Sequence, residues 1–152
     1  MALADDGDLI RGLGYVALYA AYLEEEIDNL LVMLEPIEAY TESERRRHVS
    51  SKIDKAKRLL NNLTFNDRDV LYTNLNGSQE LFRQRNEIVH GRIYANFNRP
   101  DTLRSGRPNV PERAIDSAEL YNLANRLQVM QGELYRPMIF QIPEALASLD
   151  RG

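Results

Sequence analysis

The chain has 152 residues, 43% hydrophobic and 28% charged, with no cysteine and a formal net charge of −4. This suits a single globular domain able to bury a core, and the missing cysteines exclude disulfides, thiol nucleophiles and thiolate metal sites. No run of about 18 apolar residues is present, so no membrane contact is expected; the opening MALADDGDLI is acidic where a secretory signal is basic and then apolar, and the expected location is the cytoplasm.

The charge is unevenly spread. Residues 1–44 carry eleven acids against one arginine, residues 45–113 fifteen Lys/Arg against seven acids, and residues 114–152 three against five. Blocks of this kind arise when acidic and basic helices pack side by side and neutralise each other. They also arise when one surface is kept basic for an anionic ligand such as RNA.

The first helix is predicted from Asp8 to Leu34, where Val16, Ala20, Leu23, Ile27, Leu30, Leu31 and Leu34 make one apolar stripe, and Pro36 ends it. Thr41 with Glu44 is a capping-box pattern that opens a second helix, with Val49, Ile53, Ala56, Leu60 and Leu63 as its inner seam. A third helix is predicted after Asp67, running through Arg85–His90, with a bend at Gly77. Arg92 to Arg113 is an irregular insertion in which residues 93–97 alternate as one half of a β-hairpin. Asp116 with Glu119 caps the fourth long helix, Pro137 closes it, and Pro143 starts a short terminal helix. The fold class expected is all-α, a four-helix bundle with that insertion, in one domain spanning 1–152.

The segment Arg85-Asn86-Glu87-Ile88-Val89-His90-Gly91 gathers chemistry at the end of the third helix, with Gly91 where the helix should stop. Leu71, Leu75, Phe82 and Val89 are read as its buried face. At about 100° per residue, Arg85 and His90 point about 140° apart. They share a site only if the long arginine and the fraying helix end converge on a cleft, or if a second copy of the chain supplies the missing partner. A buried arginine needs a counter-charge, and Glu24, at the rim of the first helix's apolar stripe, is the candidate.

The run Arg-x-x-x-x-His-Gly at 85–91, with Asn86 directly after the arginine, resembles the signature of the HEPN superfamily (higher eukaryotes and prokaryotes nucleotide-binding). The stretch Leu23-Glu24-x-x-Ile27-Asp28-x-Leu30-Leu31 and the helix order are also similar, over roughly residues 8–135. The resemblance implies a helical bundle and metal-independent RNA cleavage at a homodimer cleft, often by a toxin or phage-defence effector that an antitoxin restrains. In that chemistry the 2′-hydroxyl attacks the adjacent phosphate. A histidine, with an unperturbed pKa of about 6.5, suits the proton transfer, and an arginine fork suits the charge gathering on phosphate. The catalytic candidates are His90 as acid/base, Arg85 as phosphate clamp and Asn86 as orienting group. Glu24, Glu87 and Arg83 are supporting candidates, and Arg92, Arg104 and Arg107 are RNA-binding candidates. Where some family toxins carry a tyrosine that a nucleotidyltransferase modifies, two residues after the histidine, this chain has Arg92, and its nearest tyrosine is Tyr94.

No metal or cofactor is expected. Two histidines stand without a Glu-x-x-His or His-x-x-x-His pair, and there is no glycine-rich phosphate loop or Gly-x-Ser-x-Gly elbow. The alternative function is a non-catalytic HEPN-like module that binds RNA, a nucleotide or a protein partner. A third reading is a structural dimeric bundle in which the charges simply pair.

Overall fold

The computed structural model describes residues 2–151; Met1, which opens the acidic N-terminal stretch, and Gly152 lie outside them. The elements, in order, are α1 (Leu9–Met33), α2 (Glu42–Arg45), α3 (Val49–Leu60), α4 (Arg68–Val89), β1 (Gly91–Tyr94), β2 (Thr102–Ser105), β3 (Arg113–Ala114) and α5 (Ser117–Leu149). The protein is mostly helical, as expected, with a small antiparallel sheet of order β1-β2-β3 inside the insertion. The chain divides into two compact units. One takes the residues up to Ala21 together with Glu80–Gln128, the other Tyr22–Gln79 together with the residues from Val129 onward.

The second unit holds most of the predicted apolar stripes. Leu23, Ile27, Leu30, Leu31 and Leu34 of the first stripe are fully buried, as are Ile53, Ala56, Leu60, Leu71 and Leu75. The capping box at Thr41 forms on both sides: Glu44 N–H donates to Thr41 Oγ1 at 3.2 Å, and Thr41 N–H donates to Glu44 Oε1 at 3.0 Å. The helix it opens does not continue into the next. After one turn Arg46 and Arg47 donate to the carbonyls three residues back, which tightens and ends α2. His48 then becomes a new N-cap, its Nδ1 accepting from Ser50 N–H at 3.2 Å. The predicted single helix is thus two, because a side-chain cap at His48 competes with helix continuation.

The opposite correction applies to α5, which runs through both Pro137 and Pro143. Each proline removes one i→i−4 bond. Past the first proline, however, Met138, Ile142 and Ala145 extend the buried stripe of Leu134, and that burial keeps the helix going. At Gly77, where a bend was expected, α4 is continuous, and an added Cβ would lie 3.0 Å from Met130 Cε.

In the first unit, Val16, Ala20, Leu81, Phe82, Ile88, Leu103, Ile115, Leu120 and Leu127 are buried. Gly12 of α1 lets Leu120 and Tyr121 of α5 approach to within 3.0–3.3 Å of where a Cβ would sit. Val89, expected on the buried face of α4, is exposed, and Ile88 is buried instead. The helix's inward direction near its end is therefore set by Leu81, Phe82 and Ile88. Asp116 caps α5 as predicted, accepting from Glu119 N–H at 2.9 Å. The reciprocal half of that box is replaced, because the Glu119 carboxylate is bound by Arg113 at 2.7 Å.

Candidate functional site

The end of α4 and the sheet that follows it form the candidate site, all within the first unit. His90 N–H donates to Asn86 C=O at 3.0 Å, so His90 closes the last turn of α4 and its side chain is exposed. Gly91 then enters β1 directly. Its φ is not positive, so it is not the left-handed helix stop expected from the sequence. What excludes a side chain there is space: an added Cβ would lie 2.6 Å from Leu103 Cδ1 and 2.9 Å from Glu87 C=O. Only glycine lets β1 leave the helix this closely against β2.

The register β1–β2 pairs Gly91 with Ser105, Arg92 with Arg104 and Ile93 with Leu103. Ile93 and Leu103 therefore share the inner face of the sheet, while Arg92, Arg104 and Tyr94 share the outer one. Pairing Gly91 with Ser105 brings the turn after β2 back beside the end of α4. That turn is completed by Asn109 in the left-handed region (φ 66°), a conformation asparagine tolerates. The result is a cleft of about 300 Å³ with Arg83, Asn86, Glu87 and His90 on the helix side and Ser105, Gly106, Arg107 and Val110 on the turn side.

Five of the candidates from the sequence thus meet: His90, Asn86, Glu87, Arg83 and Arg107. Arg85 is not among them. It is half-buried, its guanidinium lies 5.8 Å from the Phe82 ring centre, and its Nε is buried without a hydrogen-bond partner. Glu24, proposed as its counter-charge, is bound by Lys52 at 3.1 Å instead. A lysine on α3, two helices further along the chain, reached that carboxylate, which helical geometry on α1 and α4 alone did not reveal.

The other supporting groups are held by neighbours. Arg113 donates to Glu87 at 2.8 Å and to Glu119 at 2.7 Å. Burial alone would weaken the charge on Arg113, but these two bonds outweigh it and hold its pKa above the ordinary value. Arg83 binds Glu80 through two nitrogens, at 2.9 and 2.7 Å, and lies 3.7 Å from Glu87. That grip, with a smaller contribution from Gln84, draws the Glu80 carboxyl down to about 2. Arg83 and Glu87 also border a second cavity of about 350 Å³, lined further by Gln84, Arg113, Glu119 and Arg126.

Arg104 is bound by Glu112 at 2.7 Å and covers the Tyr94 ring at 4.5 Å. Arg92 and Arg107 are exposed, and among the described residues the ion pairs of the insertion are those of Arg104 and Arg113. Gln84, Ser105, Val110 and Arg126 also line these cavities and were not expected from the sequence. No local pattern signals them, since each reaches its cavity only through the strand register or through the packing of α5.

Among the described residues, no group of three or more His, Asp or Glu is placed to hold a metal ion, and no helix is long and apolar enough to cross a membrane. Comparison of the chain with protein-family models, with curated proteins and with solved structures returned no match.

Proposed function

We propose that the chain is a metal-independent endoribonuclease of the HEPN type, acting in the cytoplasm as a toxin or defence effector that an antitoxin or regulatory protein restrains. The observation that carries this reading is the exposed His90 imidazole at a cleft that also holds Asn86 and the exposed guanidinium of Arg107. In the step proposed, His90 takes the proton of an RNA 2′-hydroxyl and the 2′-oxygen attacks the adjacent phosphorus. The bond from phosphorus to the 5′-oxygen breaks, and that oxygen leaves with the proton that His90 took up and now returns as acid. The products are a 2′,3′-cyclic phosphate and a 5′-hydroxyl. Arg107 faces the phosphate as its charge grows, and Asn86 orients the reacting groups. The active form in this reading is a homodimer, and Arg85, which does not line the cleft of its own chain, acts at the cleft of the second copy.

One observation favours the alternative, a non-catalytic HEPN-like module that binds RNA, a nucleotide or a protein partner: the arginine of the motif and its histidine do not share a cleft within one chain. The deciding experiment is RNA cleavage by purified protein in EDTA, with wild type beside Arg85→Ala and His90→Ala and with end-group analysis of the products. Cleavage that survives the chelator, leaves a cyclic phosphate and disappears in both variants supports the ribonuclease. Folded wild-type protein that leaves every RNA intact removes it, and retained RNA binding then selects the alternative.

A further inference from the structure

Phe97, in the loop between β1 and β2, is 100% exposed, which leaves about 1.5–3 kcal/mol of aromatic burial unrealised. The loop that presents it is not slack. The Asn96 side chain donates to Pro100 C=O at 3.0 Å and to Thr102 Oγ1 at 3.3 Å, and its Oδ1 accepts from Arg99 Nη2 at 3.2 Å. Asn96 N–H also reaches Asp101 Oδ1 at 3.4 Å. The residue before Phe97 is thus tied to the residues after it, and the ring stands on a pre-ordered turn.

The surroundings are cationic. Residues 91–107 hold four arginines against the single Asp101. Arg92 faces Arg104 across the ladder, a like-charge pairing that weakens a sheet. Arg104 is relieved by Glu112 and by the Tyr94 ring, while Arg92 is exposed. A sheet that tolerates this repulsion while holding a bare aromatic ring at its tip has the two parts of a single-strand binding surface, charge for the backbone and a ring for a base.

We propose that the β1–β2 hairpin grips single-stranded RNA, with Phe97 stacking on one unpaired base and Arg92 and Arg99 holding the neighbouring phosphates. This rests on the reading of the His90 cleft as an RNA site and adds the form of RNA it takes. β2 runs from the tip into Ser105–Arg107 at the cleft, and β1 spans on the order of 10 Å from Gly91 to Tyr94, so one strand can lie on both. A duplex has its bases already stacked and offers no face to Phe97. A lipid surface would need apolar area beyond one ring set among Asn96, Asn98 and Arg99.

The test uses a short fluorescein-labelled RNA carrying 2′-O-methyl groups throughout, which lacks the nucleophile and cannot be cleaved. Anisotropy titrations compare wild type, Phe97→Ala, Phe97→Trp and Arg92→Ala, with the annealed duplex and phosphatidylserine vesicles as competitors. Phe97→Ala is expected to weaken single-strand binding by about 5- to 150-fold, the effect of losing one stacked base, without changing the salt dependence. Phe97→Trp keeps the affinity. Because the chain has no tryptophan, the new indole is a sole reporter that single-stranded RNA quenches and duplex does not. Unchanged affinity in Phe97→Ala, an indole indifferent to single-stranded RNA, wild type that binds no RNA, or vesicles that outcompete RNA each overturn the grip. Cleavage of unmodified RNA is measured in parallel. Phe97-dependent binding without cleavage supports the grip and removes the nuclease, whereas cleavage with Phe97-independent affinity does the reverse.

Discussion

Lys52 and Lys55 on α3 are only 5% and 8% exposed, and each is enclosed by carboxylates. Lys52 lies 3.1 Å from Glu24 and 3.0 Å from Asp28, and Lys55 lies 2.6 Å from Glu44 and 3.2 Å from Glu38. Asp28 also accepts from the Tyr40 hydroxyl, whose pKa is pushed up first by burial and then by this bond. Arg92 and Arg107, from the same basic block of sequence, stand in solvent. The block 45–113 therefore holds both buried, paired cations and exposed ones. On α3, Lys52 and Lys55 neutralise carboxylates of the acidic N-terminal third and are structural, while in the insertion Arg104 is paired with Glu112 and Arg92 and Arg107 stay exposed. What separates them is burial: a buried cation must be paired to be tolerated at all, whereas an exposed one costs little and remains available to a ligand.

His90 separates the two regions most sharply. If the hairpin end is chemical and α3 structural, His90→Ala lowers RNA cleavage by about 10²- to 10⁴-fold, the span of a lost general acid–base group. Its melting temperature should match wild type, and a variant that cleaves normally would remove the role assigned to His90.

Lys52→Met should do the reverse. Removing one partner of a buried pair costs about 3–5 kcal/mol. Glu24 and Asp28 keep 33% and 26% side-chain exposure and are partly re-solvated, so about 2–3 kcal/mol is expected. That corresponds to a fall in Tm of roughly 4–12 °C, read by calorimetry. An unchanged Tm would mean the pair is not structural.

Gly91→Ala tests how tightly the hairpin is seated on the helix end. With a side-chain atom at 2.6 Å and a backbone carbonyl at 2.9 Å from the new methyl, about 1–3 kcal/mol of overpacking is expected. Loss of RNA binding at temperatures where the variant stays folded would show that hairpin placement, not stability, is what the glycine protects.

Acid should loosen the α3 network. Lys55 first, and then the Thr41 N–H, hold the Glu44 carboxyl at about 2, against an ordinary value of 4.5. The pKa is depressed on folding, so the stabilisation is complete above pH 4.5 and is lost as pH falls towards about 2. Tm measured across that window should fall less steeply in Lys55→Met than in wild type, and parallel curves would dissociate Glu44 from acid stability.

The smallest effect is at the free arginines. Arg107→Ala should lower the slope of log affinity against log salt by about 1 and leave stability within about 0.5 kcal/mol. A shift in Tm larger than that would return Arg107 to the structural class.

Much of this was readable along the chain because it is local. The stripe from Val16 to Leu34 repeats at helical spacing, so it identifies α1 and its buried face without knowledge of a partner. The caps at Thr41 and Asp116 depend on groups three residues apart. The position of His90 at a helix end likewise follows from its neighbours. Tertiary structure decided the rest. Whether α5 stops at Pro137 depends on whether Met138 and Ile142 find a core, which outweighs the lost hydrogen bond. Glu24 meets Lys52 and Arg85 rests on Phe82 because side chains take the partner that packing brings near, not the one that charge alone suggests. The strand register, rather than the spacing of residues 85–91, placed Arg107 and not Arg85 beside His90. Short-range periodicity is written in consecutive residues, whereas pairings across tens of residues are settled only when competing burials are weighed together.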